Sequence, residues 1–182
     1  MFLKTKSKAQ FHFTVESIAR LYADKGFFEP IWSAWQFYFY IDDDKRSQKI
    51  WQEFFTPENH LRFYYILDRA RKEINPIIIE KLVEQLETAG LSKKALGLVY
   101  SCWINVYCHQ FDYDAMNKVL ERAVNDVGIT NLNRGCLEKV KSTLQHIGQE
   151  LPYEIPESMP FRKKKSKSNQ YDEGAEEEII IK

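Results

Sequence analysis

"EKLVEQLETAG" (residues 80–90) and "NKVLERAVNDVG" (117–128) follow one pattern. Each reads Lys, two aliphatics, Glu, a polar residue, a small or aliphatic residue, and a run into Gly. The lag is 37 residues from Lys81 to Lys118 and 38 from Gly90 to Gly128. A weaker third copy, "KIWQEFF" (49–55), aligns with "KLVEQLE". An amphipathic helix closed by glycine and repeated at one lag points to stacked helical hairpins. A non-repeating helical bundle is the alternative that the same strings allow.

Working outward, periodicity and cap residues place helices along most of the chain. "TVESIARLYADKG" reads as a helix over 14–25 that Gly26 ends. Residues 28–41, "FEPIWSAWQFYFYI", are apolar nearly all round, so that helix should be deeply buried. The acids of "DDD" (42–44) suit the start of a helix over 44–55, where they oppose the positive end of its dipole. "TPEN" (56–59) offers Thr56 as cap, Pro57 for the first helical position and Glu58 for the first turn of a helix over 58–75. Pro76 breaks that helix and starts the next, 77–89, closed by Gly90. Helices over 93–111, 113–127 and 133–147 complete the series.

Paired as A and B, these give 28–41 with 44–55, 58–75 with 77–89, and 93–111 with 113–127. Helix 14–25 reads as a B helix without its A, and 133–147 as an A without its B, as in a fragment or short isoform of a longer protein. The expectation is all-α: an α-solenoid of helix-turn-helix repeats with about seven helices and no strand.

Composition agrees with this reading. Of 182 residues, 44% are hydrophobic and 29% charged, with only 7 Gly and 6 Pro to break helices. The formal net charge is zero, which argues against nucleic-acid binding through bulk charge but leaves room for a local basic face. Cys102, Cys108 and Cys136 are odd in number and sit in apolar surroundings, so they read as buried thiols. Their spacing with His109 does not suit a metal site. Trp32, Trp35, Trp51 and Trp103 are expected mostly in the core. No GxGxxG, GxxxxGK[ST], HExxH or GxSxG string is present. No enzyme, cofactor or metal is therefore expected, and no apolar run is long enough to span a membrane.

The helical domain is placed at 11–150. From Leu151 the chain changes character. "LPYEIPESMP" is too rich in proline for a helix, and "FRKKKSKSNQYDEGAEEEIIIK" (161–182) is a basic block followed by an acidic one. Residues 151–182 read as a Pro-containing linker with a disordered charged tail. "MFLKTKSKAQFHF" resembles neither a signal peptide nor a transit peptide.

"ALGLVY" (95–100) resembles the tetratricopeptide pattern, whose other signature residues are absent. The better match is the pentatricopeptide repeat family, whose 35-residue unit ends its B helix in a run resembling "EQLETAG" or "RAVNDVG". More narrowly, residues 50–156 resemble the C-terminal end of the animal leucine-rich pentatricopeptide proteins. "IWQEFFTPENHLRFYYILDRAR", "ALGLVYSC" and "LQHIGQELPYEIP" carry that likeness. The resemblance implies a superhelix of helical hairpins that binds single-stranded RNA. It implies mitochondrial messenger RNA held stable for translation, with a small RNA-recognition-motif protein as partner. Nuclear or cytoplasmic residence is the alternative, and an adaptor that binds only protein is the alternative function.

On the residues alone, the RNA-binding candidates are Arg62, Tyr65 and Arg69 on one face of helix 58–75. Arg suits phosphate and Tyr suits base stacking, while a solvated face beside a core tyrosine is the plainer reading. Arg162, Lys163, Lys164 and Lys165 in "RKKKSK" are candidates for phosphate contact, with a solvated tail or nuclear import signal as the alternatives.

Overall fold

The computed structural model describes residues 2–56 and 63–157, without the side chains of 2–9. Among the described residues the protein is all-α, a series of helices with no strand. In order they are α1 (Phe2–Ala23), α2 (Glu29–Tyr40), α3 (Asp44–Phe54), α4 (Tyr64–Glu73), α5 (Pro76–Thr88), α6 (Lys93–Gln110), α7 (Tyr113–Asp126) and α8 (Arg134–His146). A 3-10 turn, Ile129–Asn131, links α7 to α8. Two compact units divide between Ile66 and Leu67.

In the first unit α2 lies between α1 and α3. Its nearly unbroken apolar sequence buries Ile31, Trp32, Trp35, Tyr38 and Phe39. Trp35 meets Phe39 at 5.5 Å and Trp51 of α3 at 5.2 Å, and Trp51 stacks on Phe55 at 4.2 Å. Burying each such ring contributes on the order of 2–3 kcal/mol. Asp43 caps α3, accepting the backbone N–H of Arg46 at 3.3 Å. The acidic triplet is thus a helix start, as expected.

In the second unit α6 is the centre, packed against α5, α7 and α8. It buries Val99, Tyr100, Trp103, Ile104 and Val106. Ser92, Asp112 and Asn133 cap α6, α7 and α8 by accepting backbone N–H groups. Cys102, Cys108 and Cys136 are buried thiols, and burial raises the pKa of each. The segment 151–157 is not helical. It lies beside α8 with Leu151, Tyr153, Ile155 and Pro156 half-buried and Glu150, Pro152 and Glu154 exposed. An open groove of about 850 Å³ lies between this strap and Arg134, Glu138, Lys141 and Gln145 of α8.

Two turn chemistries alternate along the chain. Three turns leading from a B helix into an A helix use glycine at positive φ, Gly26 (+83°), Gly90 (+69°) and Gly128 (+84°), whereas the sequence between α3 and α4 contains no glycine. Turns leading from A into B use Asp42 (+62°), Ile74 (+51°) and Phe111 (+59°). Ile and Phe in the left-handed region cost about 1–2 kcal/mol each, a cost the flanking helices must hold in place.

Two expected boundaries differ. Helix 14–25 begins at Phe2, because nothing in residues 2–13 breaks a helix. Helix 58–75 begins at Tyr64, with Phe63 buried and non-helical before it. The buried Gln36 of α2 explains that start, since its Oε1 accepts the Tyr65 N–H at 3.0 Å and caps α4. The expected cap, Thr56, is exposed and non-helical, and Pro57 and Glu58 lie outside the described residues.

Candidate nucleic-acid interface

The second unit supplies a repeat register that the sequence strings only suggested. Cys102 on α6 points its Sγ at the carbonyl of Leu67 on α4, at 3.7 Å. Cys136 on α8 points its Sγ at the carbonyl of Ser101 on α6, at 3.4 Å. Leu67 to Ser101 and Cys102 to Cys136 are both steps of 34 residues (101 − 67 and 136 − 102). The same contact therefore joins successive A helices twice. The B helices echo it, with Arg122 of α7 bonded to Glu87 of α5 at 3.0 Å, 35 residues back.

Carried along the A helices, the 34-residue step aligns Arg71 (α4), Asn105 (α6) and Lys139 (α8). Arg71 Nε donates to the Leu67 carbonyl at 3.4 Å, and Asn105 Nδ2 donates to the Ser101 carbonyl at 2.9 Å. These are equivalent bonds, each four residues back, at equivalent positions. Lys139 Nζ lies 3.0 Å from His109 Nε2 of α6. Arg71 is exposed, and Asn105 and Lys139 are half-buried. Each A helix of this unit thus presents one polar or basic side chain in the same register. Cationic groups can neutralise phosphate, and an Asn amide can bond a base edge.

Of the expected RNA-binding residues, only Tyr65 and Arg69 fall within the described residues. Tyr65 and Arg69 share α4, and Tyr65 is exposed at 47%, so it is not a core tyrosine. Arg69 Nε is committed to Glu73 at 2.7 Å. Arg62, Arg162, Lys163, Lys164 and Lys165 lie outside the described residues. The aligned row escaped sequence reading because its members differ in type. The 34-residue spacing of Cys102 and Cys136 was the signal for it.

Many other cations sit in ion pairs. Arg20 pairs with Glu53, Lys72 with Asp68 at 2.7 Å, and Arg134 with Glu138 at 3.5 Å. Arg122 and Arg46 each close a clasp around an A-helix tyrosine. Tyr100 of α6 faces Glu87 of α5 at 2.7 Å and Asp126 of α7 at 2.5 Å. The Arg122 guanidinium lies 6.0 Å from its ring and 5.8 Å from that of Trp103. Burial, Asp126 and Glu87 push the Tyr100 phenol well up, so it stays protonated as a donor. In the first unit, Arg46 lies over Tyr38 at 5.8 Å and pairs with Glu16 of α1 at 3.2 Å and Asp43 at 2.5 Å. The buried His12 places Nδ1 3.3 Å from the Tyr38 hydroxyl. Burial and Glu16 push that phenol up to about 12. Both clasps tie an A helix to the helices before and after it.

Together the helices, turns and register define an all-α protein of helical-repeat architecture. Comparisons with protein-family models, curated proteins and solved structures find no match to this chain. No helix among the described residues is long and apolar enough to cross a membrane.

Proposed function

We propose that this chain is an RNA-associated helical-repeat protein, without enzymatic activity, that holds single-stranded messenger RNA along its A helices. The row Arg71, Asn105 and Lys139 carries this reading, because helical-repeat proteins that bind single strands present side chains at the same register of successive repeats, one base to a repeat. In this reading Arg71 and Lys139 take phosphates and Asn105 takes a base edge. The resemblance to pentatricopeptide repeats supports the same function. It extends the proposal to mitochondrial messenger RNA, its stability and translation, and a small RNA-recognition-motif partner.

The test is fluorescence anisotropy of labelled mixed-sequence single-stranded RNA with the full chain at low and physiological salt. Submicromolar binding is the expected outcome. Arg71→Ala with Lys139→Ala should weaken it about tenfold. The double change should also reduce the salt slope by about 1.4, at roughly 0.7 for each phosphate no longer neutralised. Replacing Arg162, Lys163, Lys164 and Lys165 with Ala in a separate variant apportions the tail's share. Undetectable binding, or binding indifferent to Arg71 and Lys139, refutes RNA contact by this row.

A protein-only adaptor is the second reading. It is favoured by the ion pairing of Arg20, Arg46, Arg69, Arg122 and Arg134, which spends charge that RNA would use.

A further inference from the structure

The groove between α8 and the strap has an unbalanced charge. Glu138, Glu150, Glu154 and Glu157 line it together with Arg134 and Lys141, so four carboxylates face two cations. Arg134 is already engaged, with Glu138 at 3.5 Å and with the Glu157 carbonyl, to which its Nη1 donates at 3.3 Å. Glu150, Glu154 and Glu157 are exposed, and among the described residues none of the three has a cation partner. The 34-residue step sets Arg134, Glu138 and Lys141 of α8 level with Tyr100, Ile104 and Tyr107 of α6. On α6 these positions are buried or half-buried, and Tyr100 meets both α5 and α7. The corresponding face of α8 is charged, so it suits a charged chain and not an apolar helix.

We propose that this groove docks the chain's own basic run, "RKKKSK" (162–167), folded back across the strap. The run places five positive charges in six residues, opposite in sign to the surplus of carboxylates in the groove. Its tether is short. The Arg134 bond holds Glu157 at the groove, and Arg162 follows five residues later, an extended span of at most about 17 Å. A segment linked so closely meets the groove at an effective concentration on the order of millimolar. The acids of "DEGAEEE" (172–178) are rivals for the same cations. The groove is favoured over them because α8 and the strap already fix its carboxylates, whereas pairing within the tail must order both partners. Docked, the run is withheld from phosphate. On the RNA reading above, a single strand and the groove therefore compete for the same five charges, while the docking itself does not depend on that reading.

Limited trypsin digestion of the full chain at low salt, without RNA, tests the proposal, because trypsin cuts after Arg and Lys. Exposed ion pairs are weak singly, so the triple variant Glu150→Gln, Glu154→Gln and Glu157→Gln should be cut within 162–167 about three to ten times faster than the parent. The difference should vanish in about 0.5 M sodium chloride, where charges are screened within a few ångströms. Equal cutting of variant and parent at low salt overturns the docking. So does faster cutting only when Asp172, Glu173, Glu176, Glu177 and Glu178 are changed to Asn or Gln, which would give the run to the tail's own acids. Should the triple variant lose helicity, a cysteine pair that spares the carboxylates decides. Gln145→Cys with Lys164→Cys should form an intramolecular disulfide under mild oxidation at least threefold faster than Gln145→Cys with Gln170→Cys, while Cys102, Cys108 and Cys136 stay buried. Equal rates, or a covalent dimer in place of the internal bond, overturn it.

Discussion

Gly97→Ala asks how closely the turn before α8 approaches α6. A Cβ at Gly97 would stand 2.1 Å from the Asn131 carbonyl oxygen and 2.7 Å from its carbon. Ordinary contact begins near 3.5 Å, so the 3-10 turn must move by more than about 1 Å. Asn131 and its neighbours are held tightly. The Asn131 amide donates to the Val127 carbonyl at 2.8 Å, and Asn133 N–H donates to Ser101 Oγ at 2.8 Å. Leu132 between them is buried. Straining these two hydrogen bonds and loosening Leu132 should cost about 3 kcal/mol in all. Alanine's better helix propensity returns about 1 kcal/mol. The net loss is about 2 kcal/mol, equivalent to a melting temperature lower by about 4–8 °C. Thermal and urea unfolding followed by far-ultraviolet circular dichroism would read it. A variant as stable as the parent would show that the turn yields freely and that Gly97 is not a packing requirement.

Phe111→Gly should stabilise the protein by about 0.5–1 kcal/mol in urea unfolding, because it relieves a left-handed aromatic that is 74% exposed; a loss of stability would mean that the ring makes contacts worth more than the strain. Alkaline titration bears on the Tyr38 clasp. Its phenol is raised to about 12 in the fold against 10.0 in a free chain, so the folded state keeps a proton that the unfolded state loses. That contribution is full below pH 10 and disappears between pH 10 and 12. Tyr38→Phe should flatten this part of the stability profile, and an unchanged profile would refute the assignment. Acid should loosen the same clasp. Burial pushes Asp43 up, but its bonds to Arg46 outweigh this and hold its pKa below 3.8, so its contribution is lost as pH falls through that range. Asp43→Asn should reduce this acid sensitivity of stability. Thiol titration with a disulfide reagent should find Cys102, Cys108 and Cys136 unreactive in the native protein and all three reactive in denaturant; rapid native reaction would contradict their burial.

Much of the fold was legible because its punctuation is local. Gly26, Gly90, Gly128 and Gly148 mark turns through a conformation that glycine adopts cheaply, and Pro76 opens α5 where a missing N–H does no harm. The stripe Met116, Val119, Leu120 and Ala123 marked the buried face of α7. What escaped was nonlocal. The start of α4 is set by Gln36, a side chain 29 residues upstream. Gly97, embedded in a good helix pattern, answers to the backbone of Asn131. The row Arg71, Asn105 and Lys139 has no common residue type, so only the paired thiol contacts at Cys102 and Cys136 give its register. On α4, Arg69 suited phosphate by type, and only its geometry with Glu73 shows how it is committed.

The central place of α6 bears on how this protein opens. In an array whose repeats touch only their neighbours, units can fray one at a time. Here α5, α7 and α8 all close on one helix, and Tyr100 binds two of them through Glu87 and Asp126. The mid-helix amides of α6 can therefore meet solvent only when three helices leave together. Hydrogen exchange there should proceed by opening of the whole second unit, while the last turn of α8 exchanges by local fraying. This unit accordingly behaves as one cooperative block, even though its register repeats every 34 residues.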